Sequence, residues 1–163
     1  MNLSFCVQCS APLIQKNPTD YVCESGHPYW NNPSATVAVI LLKNGQVLYA
    51  KRAREPRKDM LDLPGGFLNY NEDAAQGARR EIKEETGLDL LDLQPFAVVT
   101  HEYQTNISVC DILFVSDTFT GDLRPADDVS ELEWKSPEFM NSDGFAWDYP
   151  DLMQKLGKYL EES

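Results

Sequence analysis

Apolar residues are concentrated in short runs between polar breaks, and the first two clear runs predict a β-hairpin. They occupy Ser34–Lys43 and Gln46–Arg52, and the break between them contains Asn44-Gly45. Asn-Gly between two strand-like runs is a strong signal for a tight turn. The two runs are therefore expected to be adjacent antiparallel strands.

After a charged loop and the turn residues Pro64-Gly65-Gly66, the apolar period changes to that of a helix. Asn71 is a candidate N-cap, Glu72 and Asp73 would lie in the first turn, and Gly87 would end the helix. The apolar stripe of this predicted helix consists of Ala75, Ala78 and Ile82.

Later apolar runs predict three more strands and a last helix. The strands are expected at Phe96–Tyr103, Ile107–Val115 and Leu132–Trp134, and the helix at Tyr149–Leu160. The sum is an α+β fold with a mixed sheet and flanking helices. A composition break near Pro33 divides the chain into a cysteine-rich segment, residues 1–32, and a larger domain, residues 33–163.

Composition and charge narrow the function classes. The 163 residues are 42% apolar and carry a formal net charge of −12, from 14 basic and 26 acidic side chains. Such a chain can bury a core but repels a phosphate backbone, so long nucleic acid is not an expected partner. No apolar stretch reaches the ~18 residues that span a bilayer, and the start lacks a secretory pattern. No membrane association is expected, and the cytoplasm is the expected location.

Three glutamates of the predicted helix are spaced so that their carboxylates lie in one narrow arc. Glu81, Glu84 and Glu85 have the spacing i, i+3 and i+4. Crowded carboxylates favour a hard divalent cation, which selects oxygen ligands. The alternative is an ordinary solvated helix face balanced by neighbouring basic residues such as Arg80, and the spacing alone does not decide between them.

The longer segment Gly66–Leu88, GFLNYNEDAAQGARREIKEETGL, resembles the signature box of the Nudix hydrolase family at every defining position. The fixed identities are Gly66, Glu72, Arg80, Glu81, Glu84, Glu85 and Gly87, accompanied by apolar Ile82 and Leu88. Seven identities at ~7% average usage each give a chance match of order 10⁻⁸ at a given start. The resemblance covers Pro33 to the C-terminus in its order of elements and implies an α/β/α sandwich with a mixed β-sheet.

By motif position, the resemblance implies that Glu81, Glu84 and Glu85 bind Mg²⁺ or Mn²⁺, with the carbonyl of Gly65 as a further ligand. Glu72 and Arg80 would stabilise the conformation of the box. Metal ions held in this way can orient water, lower its pKa and stabilise the leaving oxygen during cleavage of a diphosphate.

The general base comes from different places within this family, and here the acidic loop Pro125–Trp134 is the candidate segment. Glu131 is the preferred residue because it stands on the approach to a strand, where its side chain can be held firmly. Asp128 is the alternative. A third alternative is a plain acidic surface turn with no catalytic role.

Basic and aromatic residues near the box are candidates for substrate binding. Arg52 at the end of the hairpin and Arg54 in the next loop are placed to meet phosphate, and Phe67 or Tyr103 would stack on a base. Tyr29 and Trp30 are further stacking candidates. Each side chain also has an ordinary alternative, as a solvated loop charge or a core aromatic.

The first 32 residues carry a second candidate metal site. The four ligands of a tetrahedral structural Zn²⁺ would be Cys6, Cys9, Cys23 and His27. The arrangement resembles the zinc ribbon ahead of the Nudix domain in the NADH pyrophosphatase group, except that Gly26 occupies the usual fourth cysteine position and His27 follows it. The alternative is a degenerate knuckle held by packing of its aromatic residues. A nucleic-acid-binding ribbon is disfavoured, because Lys16 is the only Lys or Arg in this segment.

The expected function is metal-dependent hydrolysis of the diphosphate linkage in a nucleoside diphosphate derivative, which would give a nucleoside monophosphate and a phosphorylated remainder. ADP-ribose, NADH or another dinucleotide, nucleotide sugars and related coenzymes stay open as substrates. The proline- and tryptophan-rich signature of the NADH-directed group has no match between Asp89 and Val109, which counts against strict NADH specificity. The rival is a non-catalytic module that senses a nucleotide or mediates protein assembly. The oligomeric state is also open, with a homodimer among the alternatives.

Overall fold

The computed structural model describes residues 4–105, 107–149 and 151–162. The predicted domain bounds include Met1–Leu3 and Ser163, and the predicted last helix includes Pro150. These positions lie outside the described residues.

A small antiparallel sheet forms the N-terminal segment. Its strands are β1 (Leu13–Gln15), β2 (Asp20–Cys23) and β3 (Pro28–Trp30), with β2 in the centre. The apolar pattern did not predict them, because strands of three or four residues are too short to show a period of two. The two turns of this sheet position its cysteine and histidine side chains.

The larger sheet has seven strands and is mixed. Its main strands are β4 (Ser34–Lys43), β5 (Gln46–Arg52), β9 (Gln94–Gln104), β10 (Ile107–Ser116) and β12 (Val129–Lys135), in the spatial order β12-β5-β4-β10-β9. β4 and β10 are parallel, whereas the other neighbours in this order are antiparallel. The predicted hairpin, the three later strands and the mixed sheet are confirmed, with small shifts of the strand ends.

The hairpin strands β4 and β5 separate soon after their turn and admit two short strands between them. Their Cα pairing is confined to Leu42 with Val47 and Lys43 with Gln46. β6 (Leu61–Asp62) then pairs with β5, and β7 (Gly65–Phe67) pairs with β4. The segment that contains Pro64, Gly65 and Gly66 is therefore inserted into the middle of the sheet.

One helical layer covers each face of the large sheet. Successive side chains of β4 alternate between the faces. Val37, Val39 and Leu41 join the core beneath α1 (Ala74–Thr86), and Ala38, Ile40 and Leu42 join the core beneath α2 (Leu152–Glu162) and a 3-10 helix (Pro137–Asn141). This two-sided burial explains the uninterrupted apolar run and confirms the α/β/α sandwich. A separate two-stranded sheet joins β8 (Leu88–Leu90) and β11 (Phe119–Gly121).

The helix starts differ from the prediction. Asp73, not Asn71, is the N-cap of α1: its carboxylate accepts the Gln76 N–H at 2.8 Å, and the Gln76 side chain accepts the Asp73 N–H at 3.3 Å. Asn71 has φ of 62° and belongs to the preceding turn. Gly87 ends α1 as predicted, with left-handed φ of 76°. Within the described residues, neither helix has the length and apolar character needed to cross a bilayer.

Candidate active site

The three glutamates share one side of α1, next to the inserted loop. Glu81 and Glu85 are buried, whereas the side chain of Glu84 is 48% exposed. The N–H of Gly65 donates a hydrogen bond of 2.9 Å to the Glu85 carboxylate. The loop backbone and the carboxylates are thus brought together, with Glu84 at the solvent side.

Gly65 and Gly66 permit this close approach. A Cβ atom at Gly65 would lie 2.1 Å from the carbonyl oxygen of Val37, and one at Gly66 would lie 2.6 Å from Oε1 of Glu81. Both contacts are shorter than real Cβ atoms show. A side chain at position 65 would collide with the backbone of β4 and displace the loop, whereas one at position 66 would displace the carboxylate of Glu81. Gly65 therefore permits close packing of the loop on β4, and Gly66 leaves room for the Glu81 carboxylate.

The carboxylate cluster is electrostatically unfavourable by itself. Burial raises the pKa of Glu85 well above its ordinary value, and the charges of Asp128, Glu81 and Asp62 act in the same direction. Burial also raises the pKa of Glu81, against the opposing effect of Arg80. Several carboxylates gathered in one partly buried place form a hard oxygen donor set, which fits Mg²⁺ or Mn²⁺.

Arg80 forms hydrogen bonds with three glutamates of the box, Glu72, Glu81 and Glu84. Its Nε and one terminal nitrogen donate to the two carboxylate oxygens of Glu72, each at 2.8 Å. The other terminal nitrogen donates to Glu81 at 2.7 Å and Glu84 at 3.0 Å. The hydrogen bonds from Arg80, together with the N–H of Asn69, lower the pKa of Glu72 to about 2. Arg80 thus orients two candidate ligands while its pair with Glu72 holds the loop before α1.

Asp128, not Glu131, lies at the carboxylate cluster. Asp128 lines the same small cavity as Glu85 and Gly65, and its charge is the second cause, after burial, of the raised pKa of Glu85. Glu131 lies on β12, where its 55% exposed side chain pairs with Lys51 at 3.2 Å. The acidic loop is therefore near the site, but the structure does not bring the preferred base of the sequence analysis to it.

Arg52 is partly buried in a pocket beside the inserted loop. Its guanidinium donates to Asp62 at 3.0 Å, to the Pro56 carbonyl at 2.8 Å and to the Tyr103 hydroxyl at 3.3 Å. It also lies 5.3 Å from the ring centroid of Trp147, whose Nε1 donates to Asp62 at 2.7 Å. Most of the donors of Arg52 are therefore used within the protein, in contrast to the solvated loop charge that was the alternative to phosphate binding.

Phe67 and Tyr103 line this pocket, which has a volume of about 110 Å³. Their rings meet edge to face at 5.5 Å, and Tyr103 stacks on Trp147 at 5.1 Å. Tyr103 is the extra residue of a bulge in β9, since Ser108 pairs with Glu102 and Ile107 with Gln104. Phe67 remains 45% exposed. Arg54 lies in the neighbouring loop, with its 69% exposed side chain 3.9 Å from Asp127.

A second buried carboxylate, Asp111 on β10, forms part of the pocket floor. Its oxygens are hydrogen bonded to the Thr36 hydroxyl, to Nε2 of His101 at 2.7 Å and to the Tyr149 hydroxyl at 2.9 Å. Burial opposes ionisation of Asp111, but these partners outweigh it and lower its pKa. Burial likewise opposes protonation of His101, and Asp111 outweighs it and raises the pKa of His101. The geometry thus favours an ion pair beneath the pocket.

The N-terminal sheet brings its four predicted ligands together. The sulfur and nitrogen atoms of Cys6, Cys9, Cys23 and His27 all lie within 4.8 Å of one another. Cys9 Sγ is 3.6 Å from Cys23 Sγ, and Cys6 Sγ is 3.6 Å from His27 Nδ1. Two sulfurs bound to one tetrahedral Zn²⁺ at ~2.3 Å would be about 3.8 Å apart. The donor set and its spacing therefore fit a structural zinc.

His27 lies one residue later than the usual fourth cysteine position, and a left-handed turn at Gly26 accommodates this shift. Gly26 has φ of 81°, and its N–H donates to the carbonyl of Cys23 at 2.9 Å. The carbonyl of His27 in turn accepts the N–H of Cys23 at 3.2 Å. This turn carries the imidazole back to the cysteines despite the shifted position.

Comparison with known proteins agrees with this geometry. The sequence model of the NUDIX domain matches residues 31–156. The chain belongs to the Nudix family. The match covers the inserted loop, α1 and the acidic loop with Asp128, so the carboxylate cluster lies wholly within the Nudix domain.

Two curated relatives differ in what they act on. An ADP-ribose pyrophosphatase from Methanocaldococcus jannaschii is 34% identical over 104 residues, which are 63% of this chain and 62% of the relative. An NAD-capped RNA hydrolase NudC from Photobacterium profundum is 25% identical over 134 residues, which are 80% of this chain and 49% of the relative. The chain therefore spans about half to three fifths of the length of these relatives.

A solved Nudix structure extends the similarity to the N-terminal segment. A NUDIX hydrolase from Nitrosomonas europaea has a TM-score of 0.72 and 26% sequence identity, covering 98% of this chain and 92% of that chain. The whole fold, including the small N-terminal sheet, thus has a counterpart among known Nudix structures.

Several pocket residues of this Nudix domain were missed by the sequence analysis, namely Thr36, Asp62, His101, Asp111, Trp147 and Tyr149. A signal was available for two of them, because Asp62 and Asp111 are carboxylates within apolar strand segments and a buried carboxylate needs partners. No local sequence pattern identifies Trp147 as a pocket residue, because its contact with Asp62 depends on the packing of two distant segments.

Proposed function

We propose that the protein is a divalent-metal-dependent hydrolase that cleaves the diphosphate linkage of a nucleoside diphosphate derivative. The products would be a nucleoside monophosphate and a phosphorylated remainder. The observation that carries the proposal is the convergence of Glu81, Glu84 and Glu85 with the Gly65 loop. Membership of the Nudix family, with relatives named for ADP-ribose and NAD-capped RNA, supports it.

The residues of the cluster divide into ligands and supports. Glu81, Glu84, Glu85 and the carbonyl of Gly65 would hold Mg²⁺ or Mn²⁺, which supplies charge neutralisation and activation of water when bound. Arg80 keeps Glu81 and Glu84 in place through its hydrogen bonds of 2.7 and 3.0 Å. The proton of the attacking water would pass to a carboxylate oxygen of Asp128, which takes the role expected for Glu131.

The pocket beside the loop is the proposed place for the group attached to the scissile diphosphate. Phe67 and Tyr103 supply aromatic surface to its lining, and Arg52 supplies positive charge. The exposed guanidinium of Arg54 is free to approach a phosphate by exchanging its long contact with Asp127. ADP-ribose is the first substrate to test, because the relative with 34% identity carries that name.

A hydrolysis screen over nucleoside diphosphate derivatives, with Mg²⁺ and Mn²⁺, tests this function. We expect release of a nucleoside monophosphate that depends on the added metal. Glu84→Gln should abolish turnover, and Glu161→Gln on the exposed side of α2 is the matched control. The rival sensor module predicts substrate binding with no product for any compound in the screen.

We further propose that Cys6, Cys9, Cys23 and His27 hold one structural Zn²⁺ and that residues 1–32 form a zinc-ribbon-like unit ahead of the Nudix domain at residues 33–163. Ligand atoms within 4.8 Å of one another support the metal assignment. Metal analysis of reconstituted protein should find about one zinc per chain.

A further inference from the structure

A second cavity lies between the small N-terminal sheet and the start of the large sheet. Its volume is about 500 Å³, which falls in the range of ~300–1,000 Å³ typical of small-molecule sites. The N-terminal side contributes Tyr29, Asn31 and Asn32, and the large sheet contributes Ser34 from β4 and Ile107 from β10. The hydrolytic site described above uses none of these five side chains.

This cavity lies next to the pocket beside the inserted loop, along the same two strands. Ser34 and Thr36 are two residues apart on β4 and therefore point to the same face of the sheet. Thr36 lines the first pocket and Ser34 the second. β10 repeats this relation, with Val109 in the first pocket and Ile107 in the second. Two adjacent parallel strands thus carry one surface that runs from the inserted loop to the N-terminal sheet.

The separation of the two ends suits a substrate with a nucleoside on each side of its diphosphate. Gly65 pairs with Ala38 on β4. Ser34 precedes Ala38 by four residues, which corresponds to ~13 Å along a strand. A diphosphate held beside Gly65 would therefore extend one attached nucleoside along the first pocket and bring its far end to the second cavity.

The lining of the second cavity favours an uncharged heterocyclic group. Among the described residues that line it there is no Lys, Arg or His that would attract a phosphate. Tyr29 provides an aromatic wall, and the amides of Asn31 and Asn32 provide donors and acceptors for the edge of a ring. A base satisfies these conditions, whereas a phosphate does not.

We propose that this cavity is the subsite for the second base of a dinucleotide substrate. The inference rests on the proposed hydrolase function and assigns to the N-terminal segment a part in substrate choice, since Tyr29 and Asn31 come from that side of the cavity. In this assignment the nicotinamide end of a dinucleotide such as NADH occupies the cavity and the adenosine lies outside it, so ADP-ribose leaves the subsite empty.

NADH and ADP-ribose form a matched pair for the test, because ADP-ribose lacks the nicotinamide of NADH. Ser34→Leu places a larger side chain in the cavity at an exposed position. Ala35→Leu is the control, because Ala35 is also exposed but faces the other side of β4. We expect Ser34→Leu to lower the ratio of kcat/KM for NADH to kcat/KM for ADP-ribose about tenfold, as loss of contacts to one base implies. Asn31→Ala should lower the same ratio, and Ala35→Leu should leave it unchanged.

An unchanged ratio in both Ser34→Leu and Asn31→Ala would overturn the subsite. So would hydrolysis of ADP-ribose by the wild-type protein without any hydrolysis of dinucleotides. If the wild-type protein cleaves no nucleoside diphosphate derivative at all, the proposed function itself fails, and that result is seen before any variant is compared.

Discussion

The position of Asp128 leads to a prediction about the general base. If Asp128 accepts the proton of the attacking water, Asp128→Asn should lower kcat by about 10²–10⁴-fold, the usual contribution of general base catalysis. Asparagine keeps the size of the side chain and removes its charge. That change also removes electrostatic repulsion between Asp128 and Glu85, because the charge of Asp128 is the second cause, after burial, of the raised pKa of Glu85. The substitution should therefore not destabilise the fold, and saturating Mg²⁺ in the assay separates the loss of rate from a lower affinity for the metal.

Glu131→Gln is the control for Asp128→Asn, because Glu131 lies in the same acidic segment, Pro125–Trp134, but on strand β12. Its contact with Lys51 is 3.2 Å long, between side chains that are 55% and 33% exposed. Exposed ion pairs of this kind contribute about 0–1 kcal/mol to stability. The substitution should therefore change neither kcat nor the melting temperature appreciably.

The assay is initial-rate kinetics for the best substrate of the screen, at saturating Mg²⁺ and over a range of pH. A large fall in kcat with little change in KM for Asp128→Asn, against near-normal kinetics for Glu131→Gln, is expected. The opposite ranking would restore Glu131 as the base and refute the reasoning from position. Equal small effects would mean that neither residue accepts the proton.

Three further predictions concern the zinc cluster, the buried ion pair and the carboxylate cluster. Replacing Cys6 and Cys9 by Ser should remove the zinc found by metal analysis and lower the melting temperature, because a structural zinc contributes to folding; equal melting temperatures would favour a metal-free knuckle. The raised pKa of His101 means that its pair with Asp111 stabilises the fold fully below the unfolded pKa of ~6.5 and loses this effect as pH rises through the folded value. The melting temperature of His101→Gln, followed from pH 6 to pH 9, should hence converge on that of the wild type, and a constant difference would contradict the pair. Without metal, the melting temperature of Glu85→Gln should be no lower than that of the wild type, because glutamine keeps an acceptor for the Gly65 N–H and removes a buried charge. When Mg²⁺ is added in calorimetry, the melting temperature of the wild type alone should rise.

The sequence was sufficient for features that depend on local spacing. The glutamates of α1 share one side because their separation of three and four residues fixes it, and Gly87 ends the helix because a left-handed residue is needed there. The box also identified Gly66, whose missing Cβ leaves room for Glu81. These features need no knowledge of which distant segments meet.

The remaining features depend on contacts between distant segments. Asp62 and Trp147 are separated by 85 positions, and their hydrogen bond exists because the 61–63 segment and the 144–147 segment lie side by side. Backbone hydrogen bonds of 2.7 Å from Ala146 to Leu61 and 3.0 Å from Leu61 to Gly144 hold them together. The positions of Asp128 and Glu131 relative to the cluster could not be predicted for the same reason, since the pairing of β12 with β5 gives Glu131 its partner, Lys51.

The most direct test of the central claim compares diphosphate cleavage by the wild type and Glu85→Gln over increasing Mg²⁺. If the buried carboxylates of α1 hold the catalytic metal, the wild type should release a nucleoside monophosphate in proportion to metal occupancy. Glu85→Gln should be slower by about 10²-fold or more, and saturating Mg²⁺ should not restore its rate. A Glu85→Gln variant that reaches a near-normal rate at saturating Mg²⁺ would contradict the assignment of this cluster as the metal site.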